Sequence, residues 1–463
     1  LPSPTNTCPD TPERRDARFV FHPYSNARET LEHGSLVMER GEGVHVIDTA
    51  GNRYLEAMSG LWCVGLGFSE ERLIRAAERQ LRTLPYYHSF SLKSHAPQID
   101  LAEKLVTMAP GGMSKAFFTN SGSEANDTAI KMIWYRANAL GQPKRKKIIG
   151  RKRGYHGITI GSGSLTGIAR NHESFDLPLP GFLHVSAPHF WKDGAGSETE
   201  SEFATRLADE LEALVLREGP ETIAAFFAEP VMGAGGVIVP PETYWDKIQA
   251  VLRRYDILMV ADEVICGFGR TGRMFGCETY AITPDILVLS KQLSSAYMPI
   301  SAVLINDRVF DPIAEHTAVL GSFGHGFTGS GHPVAAAVAR ETIAIIEERN
   351  LVAHAAETGA HMQRALRALR GNPFVGEVRG VGLIAAVETV SDKVATRTVT
   401  PPGALGARIA ARMQGYGVIS RAMGDAVAFC PPLISEKHDI DVMVAALERA
   451  LVDEAIHLEG TEA

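Results

Sequence analysis

Two ionisable residues each close a short apolar run. Ile257-Leu258-Met259-Val260-Ala261 ends in Asp262, and Leu287-Val288-Leu289-Ser290 ends in Lys291, 29 residues further on. Lysine is rarely buried unless it is paired or reactive. Desolvation lowers its pKa and suits it to adding to a carbonyl. The aspartate has two readings: a structural acid satisfied by its surroundings, or an anchor for a charged ligand. Upstream, Ser121-Gly122-Ser123-Glu124 joins an apolar run to a helical pattern. Such a turn presents free N–H groups and the positive end of a helix dipole, which together cradle phosphate. The same residues also spell a Ser-x-x-Glu helix cap.

A phosphate turn, a strand-end Asp and a strand-end Lys are the three contacts that hold pyridoxal phosphate. The turn grips the phosphate, the Asp pairs with the ring nitrogen and the Lys bonds the aldehyde. Lys152-Arg153-Gly154-Tyr155-His156-Gly157 adds an aromatic between glycines, able to approach a flat ligand or simply to form a surface turn. Gly267-Phe268-Gly269-Arg270-Thr271-Gly272 matches the dinucleotide pattern. It stands away from the strand end, however, and no helix start follows, as that fingerprint requires. A tight loop beside the Asp262 strand is the better reading.

These residues need a scaffold that brings strand ends together. Residues 44–48 and 53–57 flank Thr49-Ala50-Gly51-Asn52 and read as a hairpin, followed by a glycine-punctuated loop around Trp62. From 71 to 334 apolar strands alternate with helices. Helices are expected at 71–83, 98–109 and 124–139, and strands at 115–119, 147–149, 224–228, 257–261, 286–289 and 300–305. Strands apolar on both faces imply an α/β fold with a mostly parallel sheet covered on both sides. Ligands bind at the carboxyl ends of such strands, where Glu229, Asp262 and Lys291 all fall. From 335 to 463 the pattern is that of a smaller α+β domain, with helices at 333–348, 355–369, 404–414 and 439–458 and strands at 383–387, 418–421 and 426–429. Residues 1–70 are expected to pack with that domain.

Composition excludes other classes. The chain has 463 residues, 46 Lys+Arg against 54 Asp+Glu, and a net charge of −8, with no long basic run. Nucleic acid is therefore a poor partner. The five cysteines are scattered and form no C-x-x-C, so neither a disulfide framework nor a structural metal is expected, and a cytoplasmic location fits. No apolar run reaches the ~18 residues of a membrane span. Residues 1–18 lack the apolar core of a signal peptide. Glycine is abundant, 44 residues, clustered between apolar runs as in turns that approach a ligand.

Together these segments resemble the class III pyridoxal-phosphate aminotransferases of fold type I. The matching stretches are Asn120-Ser121-Gly122-Ser123-Glu124-Ala125-Asn126-Asp127, Gly154-Tyr155-His156-Gly157, Ala228-Glu229-Pro230-Val231, Ala261-Asp262-Glu263-Val264, the 267–272 loop and Ser290-Lys291, in the family's order. Leu61-Trp62-Cys63-Val64, His325-Gly326-Phe327-Thr328 and Arg421 are similar to the omega-aminotransferases that act on amines with pyruvate.

The resemblance implies that Lys291 is the Schiff-base lysine and proton shuttle, and that Asp262 stabilises the pyridinium. Val264 and Tyr155 would sandwich the ring. Ser121, Gly122 and Ser123 would hold the phosphate, with Phe327 and Thr328 reaching the neighbouring subunit's site. His156 and Glu229 belong to the same cofactor set. Tyr24, Trp62, Tyr87, Tyr155 and Val231 would shape a substrate pocket, and Arg421 would bind a carboxylate and swing away for an apolar amine. The implied function is ping-pong transfer from an amine to a keto acid, in a homodimer or tetramer, with no metal. The rivals are another reaction on the same scaffold (racemase, aminomutase or decarboxylase) and, more remotely, a NAD-dependent oxidoreductase using 267–272. One departure stands out: Gln292 follows the lysine where the family more often has Gly or Ala.

Overall fold

The computed structural model describes residues 11–393 and 397–461. Cys8 and the first ten residues of the leader reading therefore lie outside the described residues. Pro12–Phe19 is a short helix.

A seven-stranded sheet forms the centre: β1 (Met113–Thr119), β2 (Lys147–Arg151), β3 (Phe182–Val185), β4 (Ile223–Ala228), β5 (Leu258–Asp262), β6 (Ile286–Leu289) and β7 (Ser301–Asn306). Their spatial order is β1-β7-β6-β5-β4-β2-β3. The β2–β3, β2–β4, β4–β5 and β5–β6 pairs are parallel, and β7 runs antiparallel to both of its neighbours. The expected mostly parallel sheet is present, with one reversed strand.

Both faces are covered. Ala225, Phe227, Val260 and Val288 pack against the helices Gly122–Ala139 and Asp307–Leu320. Phe226, Met259, Ala261 and Leu287 point the other way, into a core shared with Glu200–Glu218, Tyr244–Arg254 and Pro333–Glu348. β4 and β6 are apolar throughout because their side chains alternate between two buried faces.

The C-terminal region builds a four-stranded antiparallel sheet in the order Val375–Val381, Ile384–Thr389, Ala426–Phe429, Arg421–Met423. A second small sheet joins Met38–Glu42, His45–Asp48 and Arg53–Glu56 to Val418–Ile419. The stretch expected as one strand over 418–421 is thus two. Ser420 ends pairing with Arg53–Glu56, and Arg421 begins pairing with Ala426–Phe429. Among the described residues no helix is long and apolar enough to cross a membrane.

Candidate active site

The carboxyl ends of β1, β2, β4, β5 and β6 open into a cavity of about 320 Å³. β1 leads into Ser121, which caps the helix Gly122–Ala139: its Oγ accepts the N–H of Glu124 at 3.2 Å. The box is shifted by one residue, because Glu124 Oε2 accepts the N–H of Asn120, not that of Ser121. Both readings of this turn are therefore compatible. Capping uses the Glu124 amide, while the first-turn amides of Gly122 and Ser123 have no acceptor inside the helix. Ser123 Oγ accepts the N–H of Ile158.

Asp262 ends β5 and is 3% exposed. Its Oδ2 accepts from Asn126 Nδ2 at 3.0 Å and from His156 Nδ1 at 2.8 Å, and its Oδ1 from the N–H of Val264 at 3.1 Å. Burial alone would raise this carboxyl, but the His156 and Asn126 contacts and the Val264 amide outweigh it and hold the group below its ordinary range. His156 is itself fixed, its N–H donated to Thr166 Oγ1 and its Nε2 buried without a partner among the described residues.

Lys291 starts a single tight turn, Lys291–Ser294, after β6. Its φ of 46° is in the left-handed region, an uncommon conformation for lysine. Burial lowers the ammonium's pKa, with Asp262 the largest opposing influence. Glu229, after β4, accepts the N–H of Tyr155 at 3.1 Å and of Gly233 at 2.7 Å, and burial raises its carboxyl. It therefore fixes the Tyr155 loop. Val264, Tyr155 and His156 line the same cavity.

A second cavity of about 800 Å³ shares Leu61, Tyr155, Ile265 and Lys291 with the first. Tyr24, Trp62 and Arg421 line it. Burial raises the Tyr155 hydroxyl here. Arg421 forms no ion pair with any described residue. Val231 is fully buried in the cluster beneath Trp62 and does not line either cavity. Tyr87, Phe327 and Thr328 are also outside both. Tyr87 stacks on His88, and the exposed Thr328 accepts a hydrogen bond from Tyr86 Oη through its carbonyl.

The 267–272 loop is filled by its own side chains. Phe268 is 1% exposed and Arg270 is fully buried. The next helix, Gly276–Thr279, is four residues long. No dinucleotide cradle is formed.

Sequence reasoning passed over Asn126 as a site residue. It is a polar residue 1% exposed on the sheet side of a helix, and its two acceptors, the His156 carbonyl at 2.7 Å and Asp262 Oδ2 at 3.0 Å, explain it. Leu61 and Cys63 line the first cavity as well.

Residues 26–451 match the family model Aminotransferase class-III. The chain belongs to that family. It is similar to the omega transaminase of Pseudomonas jessenii in complex with PMP, with 60% identity, a TM-score of 0.95, and coverage of 96% of this chain and 98% of that one. It is similar to "Gamma aminobutyrate transaminase 1, mitochondrial" of Solanum lycopersicum, 50% identical over 93% of this chain and 84% of that protein. A transaminase from a directed-evolution study by ancestral reconstruction shares 41% identity at a TM-score of 0.94, covering 96% of this chain and 98% of that one.

Class-III aminotransferases have PLP fold type I and use pyridoxal phosphate. This chain is accordingly a pyridoxal-phosphate-dependent aminotransferase of small-molecule amines and keto acids. The residues present fit that cofactor. The cavity joins a helix N-terminus with open amides, a carboxylate held ionised and a desolvated lysine.

Proposed function

We propose that this aminotransferase moves the amino group of a primary amine or omega-amino compound to pyruvate or a similar keto acid, by ping-pong turnover at Lys291. The observation that carries the reading is Arg421: a cation without an ion pair among the described residues, in a cavity walled by Tyr24, Trp62, Tyr155 and Ile265 that also contains Lys291. Such a pocket accepts a carboxylate at one end and an apolar body along its walls.

Pyridoxal phosphate supplies a carbonyl that condenses with amines and a ring that withdraws electrons from the substrate Cα. The protein supplies the rest. Ser121, Gly122 and Ser123 bind phosphate through hydroxyl and amide donors. Asp262, held ionised by His156 and Asn126, favours a proton on the ring nitrogen. Val264 and Tyr155 confine the ring. Lys291 Nζ, whose ammonium is disfavoured by burial, takes the proton from the substrate Cα. Arg421 binds the carboxylate of the keto acid.

A homodimer, or a tetramer of such dimers, completes the site. Tyr86, Tyr87 and Phe90 are exposed aromatics beside the 326–332 segment, with Gly326 packed under Phe90. Phe327, Thr328 and Tyr87 then belong to the neighbouring subunit's site. Residues 1–70 act with the C-terminal domain through pairing of Arg53–Glu56 with Val418–Ile419, and 71–334 form the cofactor domain. The free thiols of Cys63, Cys266, Cys277 and Cys430 support a reducing compartment such as the cytoplasm. Several curated relatives carry mitochondrial or chloroplastic names, so fractionation of the native source decides between these compartments.

A second reading has gamma-aminobutyrate as the amine donor. It rests on the curated relatives, with Arg421 holding the distal carboxylate.

Borohydride reduction and peptide mapping should place the cofactor on Lys291. An amine panel with pyruvate, including 1-phenylethylamine, a long aliphatic amine and gamma-aminobutyrate, should yield alanine. A label on another lysine defeats the site assignment, and absence of alanine with every donor defeats the acceptor assignment.

A further inference from the structure

Gln292, the residue that departs from the family pattern, has a structural partner in an equally buried arginine. Gln292 is 2% exposed and Arg270 has no exposed surface. Arg270 Nη2 donates to Gln292 Oε1 at 3.2 Å, and Gln292 Nε2 donates to the carbonyl of Phe268. The same guanidinium reaches three other segments. Its Nη1 donates to the carbonyls of Leu383 and Pro431, at 2.9 and 2.5 Å, and its Nη2 lies 3.4 Å from Ser59 Oγ. Among the described residues Arg270 forms no ion pair, and its Nε has no partner. A buried guanidinium held only by neutral oxygens is costly, since truncating any one partner leaves a charge unsatisfied.

The groups joined in this way are those that shape the site. Gln292 follows Lys291 in the one-turn helix. Ser59 begins the turn Ser59–Trp62, in which Ser59 and Trp62 have φ of 49° and 65° and Gly60 and Leu61 are also non-helical. Leu61, Trp62 and Cys63 line the two cavities. The Ser59 carbonyl accepts the amides of Cys63 and Val64, and its hydroxyl donates to the carbonyl of Cys430 at 2.6 Å. At Gly65 a Cβ would lie 2.5 Å from the Gln292 amide carbon, so the loop is shaped around that side chain. Leu383 and Pro431 bring in the C-terminal domain.

We propose that Arg270 and Gln292 are positioning residues that fix Lys291 and the Ser59–Cys63 turn as one unit referenced to the C-terminal domain. The inference rests on Lys291 as the reactive lysine. Neither side chain touches the substrate cavity. They act by setting the left-handed backbone of Lys291 and the strained turn opposite it, both of which need external restraint to persist.

The test uses the holoenzyme with Gln292→Met, which keeps the length and removes both hydrogen bonds, and Ser59→Ala, which removes only the turn's hydroxyl. In Gln292→Met, kcat should fall about 10-fold or more, with KM for pyruvate within about twofold. The pH midpoint of the bound cofactor's absorbance should move by roughly half a unit. Amide hydrogen exchange over residues 59–65 should accelerate about 10-fold in both variants. An unmoved absorbance midpoint with unchanged exchange in both overturns the proposal, as does a kcat loss fully matched by lost cofactor content. Borohydride mapping of the wild type keeps the two questions apart. A label away from Lys291 refutes the underlying reading, whereas a label on Lys291 with an unmoved midpoint and unchanged exchange refutes only the coupling.

Discussion

His156 Nδ1 lies 2.8 Å from Oδ2 of Asp262, with 2% and 3% of the two residues exposed. The carboxylate is therefore oriented from behind as well as buried. Asn126 donates to the same oxygen and the Val264 amide to the other. Replacing Asp262 by Asn should keep the packing and remove the charge that favours a protonated ring. Turnover should fall by about 100-fold or more, within the range for loss of an acid–base group, while the melting temperature changes little. Single-turnover kinetics checks this; retention of more than a tenth of the rate would count against an ionic role. Because the Asp262 carboxyl is held below its ordinary range, the wild-type rate should show no acid limb from this group above about pH 5.

Gly157 is the tightest backbone approach at the Ser121–Ser123 turn. Its φ is 125°, and a Cβ there would lie 2.6 Å from Ser123 Oγ and 2.4 Å from Ser162 Oγ. Gly157→Ala should push Ser123 off its position. The expected result is cofactor binding weakened about 10-fold, with stability reduced by roughly 1–3 kcal/mol. Titration of the apoprotein with pyridoxal phosphate, beside a melting curve, measures both.

Glu56 holds the strained turn from the other side. Its carboxylate accepts the amides of Met58 at 3.0 Å and Gly60 at 2.5 Å, and burial pushes its pKa from 4.5 to about 7. The folded protein thus keeps this proton to higher pH than the unfolded chain does. The group's contribution is full below about pH 4.5 and is lost as pH rises through about 7. Glu56→Gln cannot ionise, so the wild type's melting temperature should fall relative to the variant's by roughly 2 °C or more between pH 5 and 8. A constant difference across that window would contradict it.

Arg421→Met should separate the two half-reactions. The apparent KM for pyruvate should rise about 10- to 100-fold, the loss of a charge-assisted contact. That for a purely apolar amine should stay within about threefold. Stopped-flow measurement of each half-reaction reads the two independently, and equal effects on both would assign Arg421 a structural role.

Much of this site was legible because its residues end fully apolar strands. Ile286–Leu289 and Ala426–Phe429 are found with the expected bounds, as are the helices Glu71–Thr83 and Pro333–Glu348. Other elements gave weaker signals. Val375–Val381 contains Gly376 and Gly380 and lies at a sheet edge, which blurs the alternation. Asp307–Leu320 carries Pro312 inside a helix, where sequence rules place a break. Glu200–Glu218 did carry a signal, the Thr199–Glu202 capping box, that the sequence reading did not use. Asn126 stood in a matching stretch without a role of its own, because that role depends on His156 and Asp262, 30 and 136 residues away. Gln292 was visible as an oddity, and its reason lies in Arg270, a side chain within the very motif set aside as a false dinucleotide site.

The break at Ser420 places Arg421 on a seam. Two residues before the arginine, at Ile419, the chain belongs to the sheet built from the N-terminal hairpin, and from Arg421 onward it belongs to the C-terminal sheet. The arginine's reach is therefore set by how two separate sheets tilt against each other, and not by pocket residues alone. Selection for new substrates can then act from a distance. Substitutions in either sheet, far from the cavity, should re-aim this cation while the cavity floor formed by the β5 and β6 ends stays as it is.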